Sequence, residues 1–347
     1  MGAIYSVGPI LSIAANLIVG LLSDVTKSLR RLLSLMFAGQ ILALALLLPQ
    51  KEFGIMAGVM ALFYLFQTPV NSMLDSMTLL AADQLNRSFP AIRMFGSLGY
   101  AVSAVAFGYL LQQYGSNWTI VIALCTIGLS FIFSFIVGDY QASLKKFEFG
   151  GLWGILRRVD TIGFFAMIML VSVAHRMNEG FLSIAMRELG ARDTVIGAAS
   201  LASSVSEIPM FFLLAKFGHR FKELTLLAIA SFLYMIRLGL LSTATEPWMM
   251  VALQAMHSVT FAIFYITALR FLQTLIPDEF RSSGQALFAM VWTGVAGVIA
   301  GTVGGALYDS LGLAYVFRTG AVFALAAMCG FLYLYFRGTS PTRDSMP

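Results

Sequence analysis

Hydrophobic residues along this chain fall in long unbroken runs separated by short polar turns. Such runs occupy residues 3–22, 33–49, 54–80, 94–113, 118–137, 161–182, 195–215, 223–242, 247–275, 284–307 and 315–336. At 1.5 Å of rise per residue, each is long enough, or nearly so, to cross about 30 Å of hydrocarbon as an α-helix. The strands of a membrane barrel would be about ten residues long and alternate apolar with polar. A backbone in lipid must also satisfy its own hydrogen bonds, which a helix does within one segment. The pattern therefore predicts an all-α, polytopic membrane protein with about eleven transmembrane helices.

Composition agrees with this pattern, and charge adds a direction. Of 347 residues, 59% are apolar and 11% charged, where a soluble domain carries about a quarter charged residues. The net charge of +5 does not mark a nucleic-acid binder, because the 22 Lys and Arg residues are sorted by loop. Fourteen lie in one alternate set of turns, including Lys27, Arg30, Arg31, Lys145, Lys146, Arg157, Arg158 and Arg281. The other set holds Lys51, Arg187 and Arg192, and the remaining five lie inside helices. The positive-inside rule makes the first set cytoplasmic, which predicts a multi-pass plasma or inner membrane protein with its C-terminus inside. Trp118 and Trp248 start helices at the expected outer interface. Cys125 and Cys329 fall in mid-span, where neither a disulfide framework nor a metal site is expected.

The longest polar stretch, 139–160, divides the chain. It predicts a five-helix bundle over 1–138, a cytoplasmic linker over 139–160, a six-helix bundle over 161–337 and a cytoplasmic tail over 338–347. Two internal pairings support related halves: GYLLQQYG at 108–115 with GALYDSLG at 305–312, and GLLSDVTKSLRR at 20–31 with FLLAKFGHRFKE at 212–223. Parallel repeats of this kind belong to two-bundle carriers with a site near the midplane. Five plus six, with Met1 outside, predicts that a first helix is missing ahead of this sequence.

Ionisable groups deep in a span are expensive, and are functional candidates for that reason. Each has a plain structural alternative. Arg237 is a fixed cation for a carboxylate or substrate, or an arginine reaching for the interface. His257 shares a polar face with Gln254 and Thr260, and is otherwise a packed histidine. Ser200, Ser203, Ser204 and Glu207 form a polar stripe just before Pro209, which makes Glu207 the candidate proton carrier or one half of a permanent ion pair. His175 and Glu179 lie four apart on one face, with Arg176 about 100° away. Thr68, Asn71, Ser72 and Asp75 make a stripe below Pro69, and an antiparallel helix pair would bring Asp75 to Arg93, as a substrate contact or a salt bridge. Gly294, Gly297, Gly301, Gly304 and Gly305 read as a close-packing face. No phosphate-cradling loop, metal cluster or nucleophile elbow is present, so no enzyme is expected.

The segment GLLSDVTKSLRR resembles the turn between the second and third helices of the major facilitator superfamily. Residues 235–272 are similar to the ninth and tenth helices of its lactose permease and phenylpropionate permease-like branch, and AIRMFGSLGYA at 91–101 to the start of the fifth. EIPMFF at 207–212 and SVAH at 172–175 are also similar. The resemblance implies a twelve-helix, proton-coupled symporter working by alternating access. It implies substrate contacts at Asp75, Arg93, Arg237, His257 and His175, proton coupling at Glu207 and His257, and a cytoplasmic gate at Asp24, Arg30 and Arg31. Thr260 and Gln254 stand where the family pattern has an acid and a lysine, which moves the proton role toward Glu207. The expected partners are the bilayer, a proton and a small solute of aromatic acid, sugar or nucleoside type, bound by a monomer without cofactor beyond the proton gradient. Alternatives are a proton antiporter exporting amphipathic compounds, or a non-transporting sensor or degraded carrier.

Overall fold

The computed structural model describes residues 2–26, 28–50, 52–115, 118–139, 154, 157–277 and 280–338. The described residues hold eleven helical rods and no strand. These are α1 (Gly2–Thr26), α2 (Leu29–Leu47), α3 (Phe53–Gln84), α4 (Phe89–Tyr114), α5 (Thr119–Ile136), α6 (Val159–Glu188), α7 (Asp193–Phe217), α8 (Glu223–Leu241), α9 (Pro247–Leu275), α10 (281–311) and α11 (Leu313–Phe336). Each rod falls on one of the eleven hydrophobic runs. Nine helices among the described residues are long and apolar enough to cross a membrane. Large apolar side chains such as Ile132, Phe133, Phe135 and Ile136 on α5 lie exposed, which is stable only against lipid. Most of the linker over 139–160 and nearly all of the tail over 338–347 lie outside the described residues.

Buried side chains gather in separate cores. Val19, Leu33, Met36, Met73 and Met77 join α1, α2 and α3, while Phe164, Ile168, Leu227, Phe264 and Phe331 join α6, α8, α9 and α11. Gly320 lets α11 approach closely, since a Cβ there would meet Leu238 at 3.1 Å and the Ala174 backbone at 3.6 Å. The first five helices touch the last six along α1 with α10, α4 with α7, and α3 with α10. α3 and α7 run on through Pro69 and Pro209. α9 and α10 are each interrupted by a π-helical turn, at Ser258–Ala262 and Met290–Val295. Such turns leave backbone carbonyls free for other donors and often mark functional sites.

The two ends of the bundle differ. At the end carrying the basic loops, Arg281 on α10 is paired with Asp83 on α3, and Asp139 accepts hydrogen bonds from the Ser28 hydroxyl at 2.6 Å and the Arg30 backbone N–H at 3.2 Å. That carboxylate caps the N-terminus of α2, where the helix dipole favours negative charge. Of the residues expected to form a gate, the Asp24 side chain lies outside the described structure. Arg30 and Arg31 enter these contacts through their backbone amides. At the opposite end, Gly190 (φ +83°) and Gly312 (φ +88°) close α6 and α10 in a conformation that glycine adopts without strain.

Candidate substrate and proton site

Three polar stations lie between the helices. The first is built on α7, α8 and α9 around Arg237, which is buried to 1% exposure. Its guanidinium donates to Thr260 Oγ1 at 3.0 Å, lies 3.1 Å from His257 Nδ1 and donates to Gln254 Oε1. A guanidinium only donates, so His257 Nδ1 accepts and the ring proton sits on Nε2. That nitrogen faces Glu207 Oε1 at 3.2 Å. The other oxygen of Glu207 accepts from the Ser97 hydroxyl of α4 at 2.6 Å. Arg237 therefore reaches Glu207 through His257, rather than by direct pairing, and the carboxylate joins α7 to α4 across the two halves.

The second station lies on α6. Glu179 Oε1 is 3.3 Å from His175 Nε2, and Oε2 accepts from Arg176 at 2.6 Å. Tyr234 meets the other nitrogen of His175 at 3.1 Å. The sequence pattern turned Arg176 away from this face, but its long side chain spans the i, i+3 step to Glu179. Arg176 also donates to the Trp292 carbonyl at 3.2 Å and to Thr293 Oγ1 at 3.1 Å. Both acceptors belong to the π turn of α10, whose widened ladder leaves a carbonyl available. The Phe261 ring stacks on His175 at 5.2 Å and on His257 at 4.8 Å, so one aromatic face sets both imidazoles.

The third station joins α3, α4 and α9. Asp75 lies 3.7 Å from Arg93, and the Tyr265 hydroxyl donates to it from the other half of the chain. Arg93 also lies over the Phe211 ring at 6.0 Å. Ser72 turns to Asn16 on α1 at 2.8 Å, while Asn71 is exposed. Of the serines on the Glu207 stripe, Ser200, Ser203 and Ser204 bond to carbonyls of their own helix, and Ser200 is exposed. The two cysteines are free, and no metal-binding group of side chains occurs among the described residues.

A cavity of about 640 Å³ lies between α6 and α10 beside the second station. Gly297, Gly301 and Gly305 face it, whereas Gly304 packs on Phe181, where a Cβ would come within 2.7 Å of the ring. The glycine face is thus divided between close packing and a cavity wall.

The profile of the family described as MFS_1 like matches residues 1–319. The chain belongs to that family. It is a multi-pass membrane transporter with a major facilitator fold. Among curated proteins it is 24% identical over 336 residues to an uncharacterized transporter of Bacillus subtilis, YwbF, covering 96% of this chain and 84% of that one. It is 26% identical over 358 residues to the maltose permease of Geobacillus stearothermophilus, with the same coverages. A probable 3-phenylpropionic acid transporter of Escherichia coli is 26% identical over 277 residues, covering 78% of this chain and 72% of that one. Solved structures share the fold at lower identity. A point variant of the fucose:proton symporter of Escherichia coli has a TM-score of 0.72 at 14% identity, over 98% of this chain and 90% of that one. A point variant of a nucleoside transporter has a TM-score of 0.71 at 16% identity, over 96% and 90%.

Within this transporter, the structure gathers Glu207, His257 and Arg237 into one network, stacks His175 on its edge, and pairs Asp75 with Arg93. Sequence reasoning passed over Ser97, Tyr265, Tyr234 and the Asp83–Arg281 pair. Ser97 carried a faint signal, one turn after Arg93 on α4 and so on the same face.

Proposed function

We propose that the chain is a proton-coupled symporter of a small organic solute, with Glu207 as the proton carrier. One observation carries this reading: a buried carboxylate accepts from Ser97 in one half of the chain and from His257 in the other, with no guanidinium in direct contact among the described residues. A carboxylate accepts on both oxygens, whereas a carboxylic acid must donate from one of them. A proton on Oε1 would set an O–H against the Nε2–H of His257, whereas a proton on Oε2 reverses the bond to Ser97, whose hydroxyl both donates and accepts, so the hydrogen bonding around Glu207 depends on its charge. Arg237 supplies the counter-charge through His257, and a solute that engages Arg237 or His257 would favour proton uptake. The related proteins named for sugar, nucleoside and aromatic acid transport support a small organic substrate.

The basic loops support a cytoplasmic position for the Asp83–Arg281 end. On that assignment the Asp83–Arg281 pair joins the two halves at the inner end, and the cavity lies near the outer ends of α6 and α10. Loading would take place from outside with a monomer in the plasma or inner membrane. The two bundles, 1–138 and 161–337, would rock about the three stations. The test is Glu207→Gln in proteoliposomes. Uphill accumulation should be lost while counterflow exchange continues, and unchanged accumulation would sink the assignment. Substrate addition should also alkalinise a weakly buffered external medium, whereas acidification would mark an antiporter.

A further inference from the structure

The cavity between α6 and α10 is distinct from the Arg237 network, and its wall chemistry is specific. Its volume of about 640 Å³ is that of a small-molecule site, which usually measures about 300–1,000 Å³. One wall is backbone at Gly297, Gly301 and Gly305, and the Phe181 and Tyr308 rings, 6.1 Å apart, contribute apolar surface. Three carboxylates, Glu179, Glu188 and Asp309, face two guanidinium groups, Arg176 and Arg187. Glu179 side-chain surface is 45% accessible and Arg176 26%, and both line the cavity, so this ion pair is presented to it.

This balance selects among solutes. An anion would meet more carboxylates than guanidinium groups, and like charges brought together are penalised. A hydroxyl group both donates and accepts, a carboxylate only accepts and a guanidinium only donates. An adjacent Arg176–Glu179 pair therefore satisfies neighbouring hydroxyls on an uncharged solute from both sides. The ring faces and glycine wall suit the C–H face of a sugar ring. We propose that the α6–α10 cavity is the loading site for an uncharged, hydroxyl-rich solute, with Arg176 and Glu179 reading its hydroxyls and the glycine wall setting its size. The proposal names the substrate class and so rests on the transport reading, but its test measures binding without a gradient.

The experiment uses purified Gly301→Cys protein with Cys125→Ser and Cys329→Ala, labelled by a maleimide in the presence of sucrose, glucose, uridine or phenylacetate. At least one neutral polyol should slow labelling by about ten-fold, phenylacetate should not, and adding Glu179→Gln should weaken the protection by about two- to five-fold. A second variant, Gly305→Leu, fills the cavity from a position where an added Cβ meets nothing within 4 Å. It should raise KM for uptake of the protecting solute by about ten-fold. No protection by any neutral probe, equal protection by phenylacetate, or an unchanged KM in Gly305→Leu overturns the proposal. Protection without any uptake would instead overturn the transport reading and leave the site standing.

Discussion

Glu207 and Glu179 are both acids inside spans, each with a histidine nitrogen within 3.3 Å, yet their surroundings are opposite. Glu179 is 45% accessible and holds Arg176 directly at 2.6 Å, so its charge is met by a neighbour on its own helix. Glu207 is 11% accessible and is held by a neutral hydroxyl from α4 and by an imidazole whose far nitrogen is occupied by Arg237. Charge in a low-dielectric interior must be matched or removed. Glu179 is matched by Arg176, whereas Glu207 has no cation in direct contact among the described residues, which is why the proposed mechanism gives it the proton. Proximity to a histidine is common to both acids, and the proposed division of roles rests on the nearest cation.

The largest effect that would break this contrast is at Glu207 itself, where the Gln variant should lose coupled accumulation altogether while Glu179→Gln keeps it. Next is Arg237→Lys. One ammonium cannot serve His257, Thr260 and Gln254 in the plane of a guanidinium, and losing charge-assisted bonds should lower initial uptake by about ten- to hundred-fold. A wild-type rate would mean that Arg237 only packs. Ser97→Ala removes the bond between halves at the cost of one hydrogen bond to a charged group, worth about 1.5–3 kcal/mol. It should raise the reactivity of a cysteine reporter between α4 and α7, and an unaltered reporter would show that the Ser97–Glu207 contact holds nothing. Smallest is Glu179→Gln, expected to raise KM about three- to ten-fold with the accumulation ratio preserved. Loss of the ratio would erase the difference between the two acids.

The helices were legible because lipid makes the same demand on every residue of a span. Within those spans, Asp75, Arg93, Glu207, Arg237 and His257 stood out because charge there is costly. Their partners were not legible. Ser97 looks like any serine in a helix, and Ser172 and Ser231 do bond their own helix carbonyls, at 2.6 and 2.8 Å. Its place one turn after Arg93 is a faint signal, and the approach of α4 to α7 is what singles it out. Tyr265 and Arg281 meet Asp75 and Asp83 from 190 and 198 residues away, a pairing set by how the halves dock. Arg176 was misjudged by treating a side chain as the direction of its Cβ, although an arginine reaches well past its own face. The glycine stripe was seen, but that three of its members wall a cavity depends on what α6 places opposite them.

The central claim is that Glu207, and not Glu179, takes up the coupled proton. Infrared difference spectroscopy of the protonated-carboxyl stretch, recorded on adding substrate across the pH range of driven uptake, tests it directly. The account predicts a band in wild type and in Glu179→Gln that is absent in Glu207→Gln. A band that survives in Glu207→Gln and vanishes in Glu179→Gln would contradict it.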